Sequence, residues 1–283
     1  MRTVYVNGQF LPENEAKVSV FDRGFLMADG VYEVVTIING KVCDYDGHIA
    51  RLARSLGELK FTLDVASIDW LGIIREVVAR NNVTEGLVYF QVTRGAGDRD
   101  FLITNEFEPT IVMFTQQKSV LNAASATKGI KVITRPDLRW GRCDIKTTQL
   151  LYSSMMKTEA YAHGADDVWL ERDGVITEGS SNNSYIVSPE GSIITRPVSH
   201  EILSGITRAT LLELCKRDGI ELIERPYTVE EAENAQSAFV TSASSFVCPV
   251  VSVNGHQMAS NNTMDICAKL RELYIQNVLE TAV

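Results

Sequence analysis

Two stretches near the start of the chain, residues 4–11 (VYVNGQFL) and 34–42 (VVTIINGKV), set apolar and β-branched residues on either side of an Asn-Gly pair. Asn7-Gly8 and Asn39-Gly40 supply the residues that a tight hairpin turn needs, so the fold is predicted to open as a β-sheet. The period then lengthens. Ile49, Leu52, Leu56 and Leu59 recur at helical spacing after Asp46, and Trp70, Ile73, Ile74, Val77 and Val78 do so after Ser67. Each of these polar residues is placed as an N-cap, so two helices are expected. Strand composition returns at 86–93 (GLVYFQVT) and 109–115 (PTIVMFT), which makes the first half an α+β sequence of strands, two helices and strands.

Residues 116–129, QQKSVLNAASATKG, are small and polar and have no clear period. The stretch reads as a domain linker or as a long surface loop. Taken as a linker over 118–127, it separates a small N-terminal α+β domain (1–117) from a larger α/β domain (128–283). Beyond it the pattern predicts a strand at 130–133, a helix over about 148–163, and a hairpin over 167–177 turning at Asp173-Gly174. Strands at 183–187 and 237–241 and helices over about 207–218 and 264–281 follow. No repeat and no low-complexity tract is visible.

Composition narrows the function. The 283 residues are 45% hydrophobic and 22% charged, as in ordinary globular proteins with room for two cores, and the net charge is −9. With no long basic run and no zinc-type Cys/His spacing, nucleic-acid binding through a basic face is not expected, and a small molecule is the expected partner. The cysteines (Cys43, Cys143, Cys215, Cys248, Cys267) are scattered and odd in number, which suits small core residues in a reducing compartment better than a disulfide framework. No signal peptide is recognisable at the N-terminus, and no uncharged apolar run reaches the roughly 18 residues of a membrane helix, so a cytoplasmic protein without a membrane role is expected.

Lys146 lies in an apolar-flanked segment, WGRCDIKTTQLL, and Glu178 heads the turn of VITEGSSNN about thirty residues later. A lysine in a partly desolvated place deprotonates readily and forms a Schiff base with a carbonyl. A carboxylate that keeps a pyridine nitrogen protonated is the second part of such chemistry. Either residue alone also reads as an ordinary surface lysine or turn glutamate. A phosphorylated cofactor further needs an anion site, for which helix N-termini are suited. The stretch 203–212, LSGITRATLL, offers Gly205 for close approach and the Thr207 hydroxyl, although Thr207 also reads as a plain N-cap. The hydroxyl-rich turn 241–245, TSASS, is a second candidate. Arg51 follows His48 by three residues and shares its helix face, in reach of a common anion or carboxylate; His48 and Arg54 read as solvated side chains. Gly30 leads into a strand on which Tyr32 and Glu33 point in opposite directions.

Six segments in order, DGVYEVV at 29–35, GHIARL at 47–52, YFQVTRG at 89–95, RCDIK at 142–146, VITEGSSNN at 175–183 and LSGITR at 203–208, resemble the fold-type IV pyridoxal 5'-phosphate (PLP) enzymes, and most closely D-amino-acid transaminases. The resemblance covers essentially the whole chain and implies a two-domain α+β / α/β fold with the cofactor at the domain interface. It implies that Lys146 is the Schiff-base lysine and Glu178 the acid on the pyridine nitrogen. It further implies that Arg51, Ile206 and Thr207 hold the phosphate and that Leu203 packs on the ring. The resemblance also implies phosphate contacts on the turn with Ser242 and Ala243, where Ala243 stands in place of the family's hydroxyl residue and leaves only its backbone N–H.

For the substrate, the resemblance implies a carboxylate trap made by Tyr32 with an Arg and a His from a loop of the neighbouring subunit, hence a homodimer. The loop here reads RGAGDRDFLITNEF: Arg99 matches, but Phe101 stands where the His is expected. That change weakens carboxylate binding, widens the pocket for apolar groups, or shifts preference toward amines without a carboxylate. The implied reaction is a ping-pong exchange between an amino donor, a D-amino acid, and a 2-oxo acid acceptor. The alternatives are an R-selective amine transaminase and an aminodeoxychorismate-type lyase.

Overall fold

The structure is a computed structural model, and it describes residues 1–103, 107–258 and 260–283, with side chains except those of 260–264. Two compact units emerge, and neither is one continuous run of chain. The first holds Met1–Ser119, Ile145–Gln149 and Thr281–Val283; the second holds Val120–Asp144 and Leu150–Glu280.

The first unit contains β1 (Thr3–Val6), β2 (Gln9–Pro12), α1 (Arg23–Met27), β3 (Gly30–Ile38), β4 (Lys41–Val42), α2 (Tyr45–Glu58), α3 (Trp70–Arg80), β5 (Glu85–Thr93) and β6 (Thr110–Gln117). Its sheet runs β2-β1-β6-β5-β3-β4 and is antiparallel at every pair. Both predicted Asn-Gly hairpins form, with Asn7 and Asn39 at positive φ before their glycines. On one sheet face Val31, Val35, Phe90, Val92 and Met113 pack with Leu52, Leu56, Trp70, Ile74 and Val77 of α2 and α3. The other face carries an aromatic row, Tyr32 stacked on Tyr89 (5.4 Å) and Tyr89 on Phe114 (4.9 Å), half-buried as the alternation requires.

The second unit contains α4 (Ala124–Lys128), β7 (Ile130–Pro136), α5 (Leu151–Ala162), β8 (Asp167–Arg172), β9 (Val175–Gly179), β10 (Asn183–Val187), β11 (Ile193–Thr195), α6 (Ile206–Arg217) and β12 (Leu222–Glu224). It ends with α7 (Val229–Glu233), β13 (Ser237–Ser242), β14 (Phe246–Val253), β15 (His256–Gln257) and α8 (Ser260–Thr281). Its nine-stranded sheet runs β12-β11-β10-β13-β14-β7-β8-β9, with β15 paired to β14. The β7 pairings with β14 and β8 are parallel, as is β11 with β12. One core cluster gathers Val132, Trp169, Tyr227, Val240 and Val250, and another gathers Tyr185 and Phe239, stacked at 4.4 Å, with Leu211 and Cys215 of α6 and Cys267 and Leu270 of α8.

Several boundaries move. The α2 helix starts at Tyr45 after Asp44, so Asp46 is a first-turn residue and not the cap. Asp69, not Ser67, caps α3, because its side chain accepts from the N–H of Gly72 while Ser67 closes a short 3-10 turn. Gly205, not Thr207, is the N-cap of α6. The linker expected over 118–127 begins directly after β6 ends at Gln117 and holds most of α4. Residues 145–149, expected in the C-terminal domain, group with the first unit. They do so because Val31 and Thr147 form a β-bridge, the Tyr32 N–H donates to the Lys146 carbonyl (3.0 Å), and the Thr148 N–H donates to that of Gly30 (3.0 Å). These extended residues also delay α5 from 148 to Leu151.

Candidate active site

In the first unit, the segment 145–148 lies along the start of β3, which brings the Lys146 side chain onto the aromatic face of the sheet. Its Nζ is 4.1 Å from the centroid of the Tyr32 ring, and the residue is half-buried. An ammonium there is attracted by the ring face and a neutral amine packs on it, so the ring fixes the amine's position in either state. On the opposite face Glu33 is fully buried. Arg51 Nε donates to its Oε1 (2.8 Å) and Nη2 to its Oε2 (2.7 Å), and His48 Nδ1 lies 2.7 Å from Oε2. Burial alone pushes the Glu33 carboxyl up, yet the Arg51 charge and the Arg51 and His48 hydrogen bonds bring it down to about 2. His48 is therefore a buried partner of a carboxylate, not a solvated side chain; Arg54 remains largely exposed beside Glu58. The i,i+3 spacing of His48 and Arg51 does place both on one face, and its target is Glu33.

In the second unit, Glu178 is the fourth residue of β9, ahead of the turn, and is buried. Arg139 Nη1 donates to its Oε1 (2.6 Å), while Oε2 accepts from Asn183 Nδ2 (3.0 Å) and from the Leu203 N–H (3.1 Å). Arg139 is shared with Asp137, to which its Nε (2.9 Å) and Nη2 (2.8 Å) donate; the Thr177 hydroxyl donates to Asp137 as well (2.9 Å). Burial pushes the Glu178 carboxyl above its usual range, against the pull of the Arg139 charge and hydrogen bond and of the Leu203 N–H. Asn183 also donates to the Leu203 carbonyl (2.9 Å), and a Cβ on Gly205 would come within 2.1 Å of Asn183 Oδ1. The glycine at the head of α6 is thus required by the side chain that serves Glu178. No side chain caps α6, and Thr207 is buried within its first turn. In the β13–β14 turn the Ser242 hydroxyl lies 2.7 Å from that of Ser245, beside half-buried Ala243.

Arg99 is exposed, with its guanidinium 5.2 Å from the ring of Phe101, itself 79% exposed. Sequence reasoning missed Glu33, Arg139, Asp137 and Asn183. The signals available were an acidic residue buried by strand alternation, the Asp-x-Arg spacing at 137–139, and an asparagine entering a strand after the Ser pair.

Residues 30–253 of the chain match the family model described as "Amino-transferase class IV". The chain is 37% identical over 262 residues to a D-alanine aminotransferase of Bacillus licheniformis, covering 91% of this chain and 90% of that protein. It is 34% identical over 273 residues to the D-alanine aminotransferase of Staphylococcus haemolyticus, covering 96% of each. Among solved structures it is similar in fold to the branched-chain aminotransferase of the archaeon Thermoproteus uzoniensis with norvaline. There the TM-score is 0.84 at 25% identity, over 99% of this chain and 95% of that one.

Proposed function

Because the chain belongs to the amino-transferase class IV family, we propose that it is a PLP-dependent enzyme moving the amino group of a D-amino acid to a 2-oxo acid. The residues fit that cofactor on their own geometry. Glu178 shares its one arginine with Asp137 and is left short of positive charge, which suits a protonated ring nitrogen. The α6 start has a glycine cap and no capping side chain, which leaves first-turn N–H groups for an anion. PLP, when bound, supplies an aldehyde for the donor's amine and a ring that accepts electrons from the adjacent carbon.

Lys146 is the base: its Nζ takes the proton from the donor's α-carbon and returns one in the opposite half-reaction. Glu178 stays ionised to hold the ring nitrogen's proton, and Arg139, Asn183 and the Leu203 N–H keep it so. Arg51, the N–H groups of Ile206 and Thr207, the Thr207 hydroxyl, Ser242 and the Ala243 N–H hold the phosphate, and the Leu203 side chain packs on the ring. Tyr32 and Arg99 bind the substrate carboxylate, Arg99 being supplied by the second copy of a homodimer. The five buried free thiols support a cytoplasmic setting.

The observation that carries this reading is the amine of Lys146 held against Tyr32 on the strand-paired segment 145–148. Lys146→Ala is expected to lose at least about 10⁴-fold in turnover and the absorbance of the lysine-linked cofactor; full activity in that variant would overturn the assignment. Arg99 lying against exposed Phe101 favours, as a second reading, R-configured amines without a carboxylate. Both hands of alanine and of 1-phenylethylamine, each offered with 2-oxoglutarate, separate the two readings, and a lyase would yield no D-glutamate from D-alanine.

A further inference from the structure

The second unit contains a buried cation that, among the described residues, has no acid beside it. Arg271 of α8 is 8% exposed, and among the described residues no carboxylate lies within ion-pair distance of it. Its donors go to main-chain carbonyls instead: Nη1 to Ser245 (2.5 Å) and Val247 (3.0 Å), Nη2 to Leu121 (3.1 Å) and Val120. Two of those carbonyls flank Phe246, the residue at which the turn between β13 and β14 ends. Phe246 has φ +56° and is fully buried. Glycine is the usual occupant of such a left-handed position, because a Cβ there costs about 1–2 kcal/mol. The conformation persists only where its surroundings enforce it. The surroundings here are the Arg271 guanidinium, 5.6 Å from the Phe246 ring centroid, and the Tyr274 ring at 4.8 Å.

Tyr274 reaches a second segment as well: its hydroxyl lies 3.4 Å from Thr207 Oγ1 in the first turn of α6. Arg271 and Tyr274 are three residues apart on one helix face. That single face therefore grips the 242–246 turn and the head of α6 together.

We propose that Arg271 and Tyr274 are positioning residues for the cofactor's phosphate, holding the 242–246 turn and the start of α6 as one anion-binding frame. The inference rests on the reading that these two segments hold that phosphate. Carbonyls satisfy the hydrogen bonds of Arg271 but, among the described residues, leave its charge without a counter-ion, and a phosphate on the frame supplies one through the low-dielectric interior. Burial also lowers the guanidinium's pKa, as expected of a cation with no carboxylate beside it among the described residues.

The test compares two ligands of the apoenzyme that differ only in the phosphate, PLP and pyridoxal, titrated by absorbance into the wild type, Arg271→Gln and Tyr274→Phe. Arg271→Gln is expected to weaken PLP about tenfold or more while pyridoxal changes by less than about twofold; Tyr274→Phe is expected to weaken PLP about threefold with pyridoxal unchanged. The ³¹P resonance of bound PLP should titrate at higher pH in Arg271→Gln, a shift that a merely structural clamp does not produce. Equal losses for both ligands, or none for either, overturn the proposal. Should Arg271→Gln not fold, an unchanged PLP-to-pyridoxal ratio in Tyr274→Phe overturns it. A wild-type protein that binds PLP no better than pyridoxal sinks the phosphate reading itself, whereas strong wild-type preference with unmoved variants sinks only the frame.

Discussion

Glu33 and Glu178 are both buried carboxylates facing an arginine, and the arginine does opposite work in the two places. Arg51 gives Glu33 two parallel hydrogen bonds, and His48 adds a third contact. Arg139 gives two of its nitrogens to Asp137 and one to Glu178. The first carboxyl ends at about 2 and the second ends above its usual range, although burial opposes ionisation in both. A carboxylate that takes two donors of one guanidinium and a third contact from His48 is a structural anion whose charge is already answered. One with a shared guanidinium retains an appetite for a further cation, and that is the property a pyridinium partner needs.

Substitution to glutamine breaks this comparison most sharply at Glu33. The variant keeps the shape but removes the charge opposite Arg51, and breaking one side of a buried pair typically costs about 3–5 kcal/mol. The folded carboxyl is depressed from 4.5 to about 2, so its stabilisation, about 3 kcal/mol, is complete above the ordinary carboxylate range and disappears as pH falls through 2. Urea unfolding should show Glu33→Gln well below the wild type at pH 7 and the gap closing toward pH 2. A constant gap would mean that packing, not charge, holds the site.

Glu178→Gln is expected to do the reverse. A carboxyl raised by burial opposes folding at pH 7, and Arg139 keeps Asp137 when the charge is removed, so stability should be unchanged or higher. Turnover should fall about 10²–10³-fold, as for loss of one preorganised electrostatic partner. A stability loss like that of Glu33→Gln, with activity retained, would erase the distinction between the two acids.

How much of this was legible in the sequence follows from how local each cause is. Asn-Gly turns, the strand alternation around Tyr32 and the apolar stripes of α2 and α3 depend on neighbours in the chain, and they form as the pattern predicts. Each cap lies two residues from the one the pattern predicts, because Asp44, Asp69 and Gly205 are singled out from neighbouring candidates by backbone conformation and, for Asp69, by the Gly72 N–H its side chain accepts. The strand Phe246–Val253 is not predicted by the pattern: its interior Pro249 argues against a central strand, yet Pro249 sits opposite Phe239 of β13, and the parallel register with β7 begins only after it, at Val250. Lys146, Glu178, Arg51 and Thr207 stood out through family resemblance. Arg139, Asn183 and Glu33 did not, since their importance lies in what they touch across 39, 5 and 18 residues of chain.

Asn183 offers the finest adjustment of the contrast, because it acts on Glu178 without touching its arginine. Its side chain donates both to Glu178 Oε2 and to the Leu203 carbonyl. Asn183→Ala leaves Oε2 with the Leu203 N–H alone, and a lost hydrogen bond of this kind costs about 1 kcal/mol of stability. The ionised form of Glu178 loses a donor that favours it, so a carboxyl already raised should rise further. Activity should then fall mainly on the acidic limb of the pH profile, where Glu178 takes up its proton, with a loss of only about threefold to tenfold near neutrality. A pH profile superimposable on that of the wild type would show that the Asn183 amide fixes the loop at Leu203 rather than the charge at Glu178. In that case Arg139 and the Leu203 N–H are what separate this carboxylate from a neutral acid.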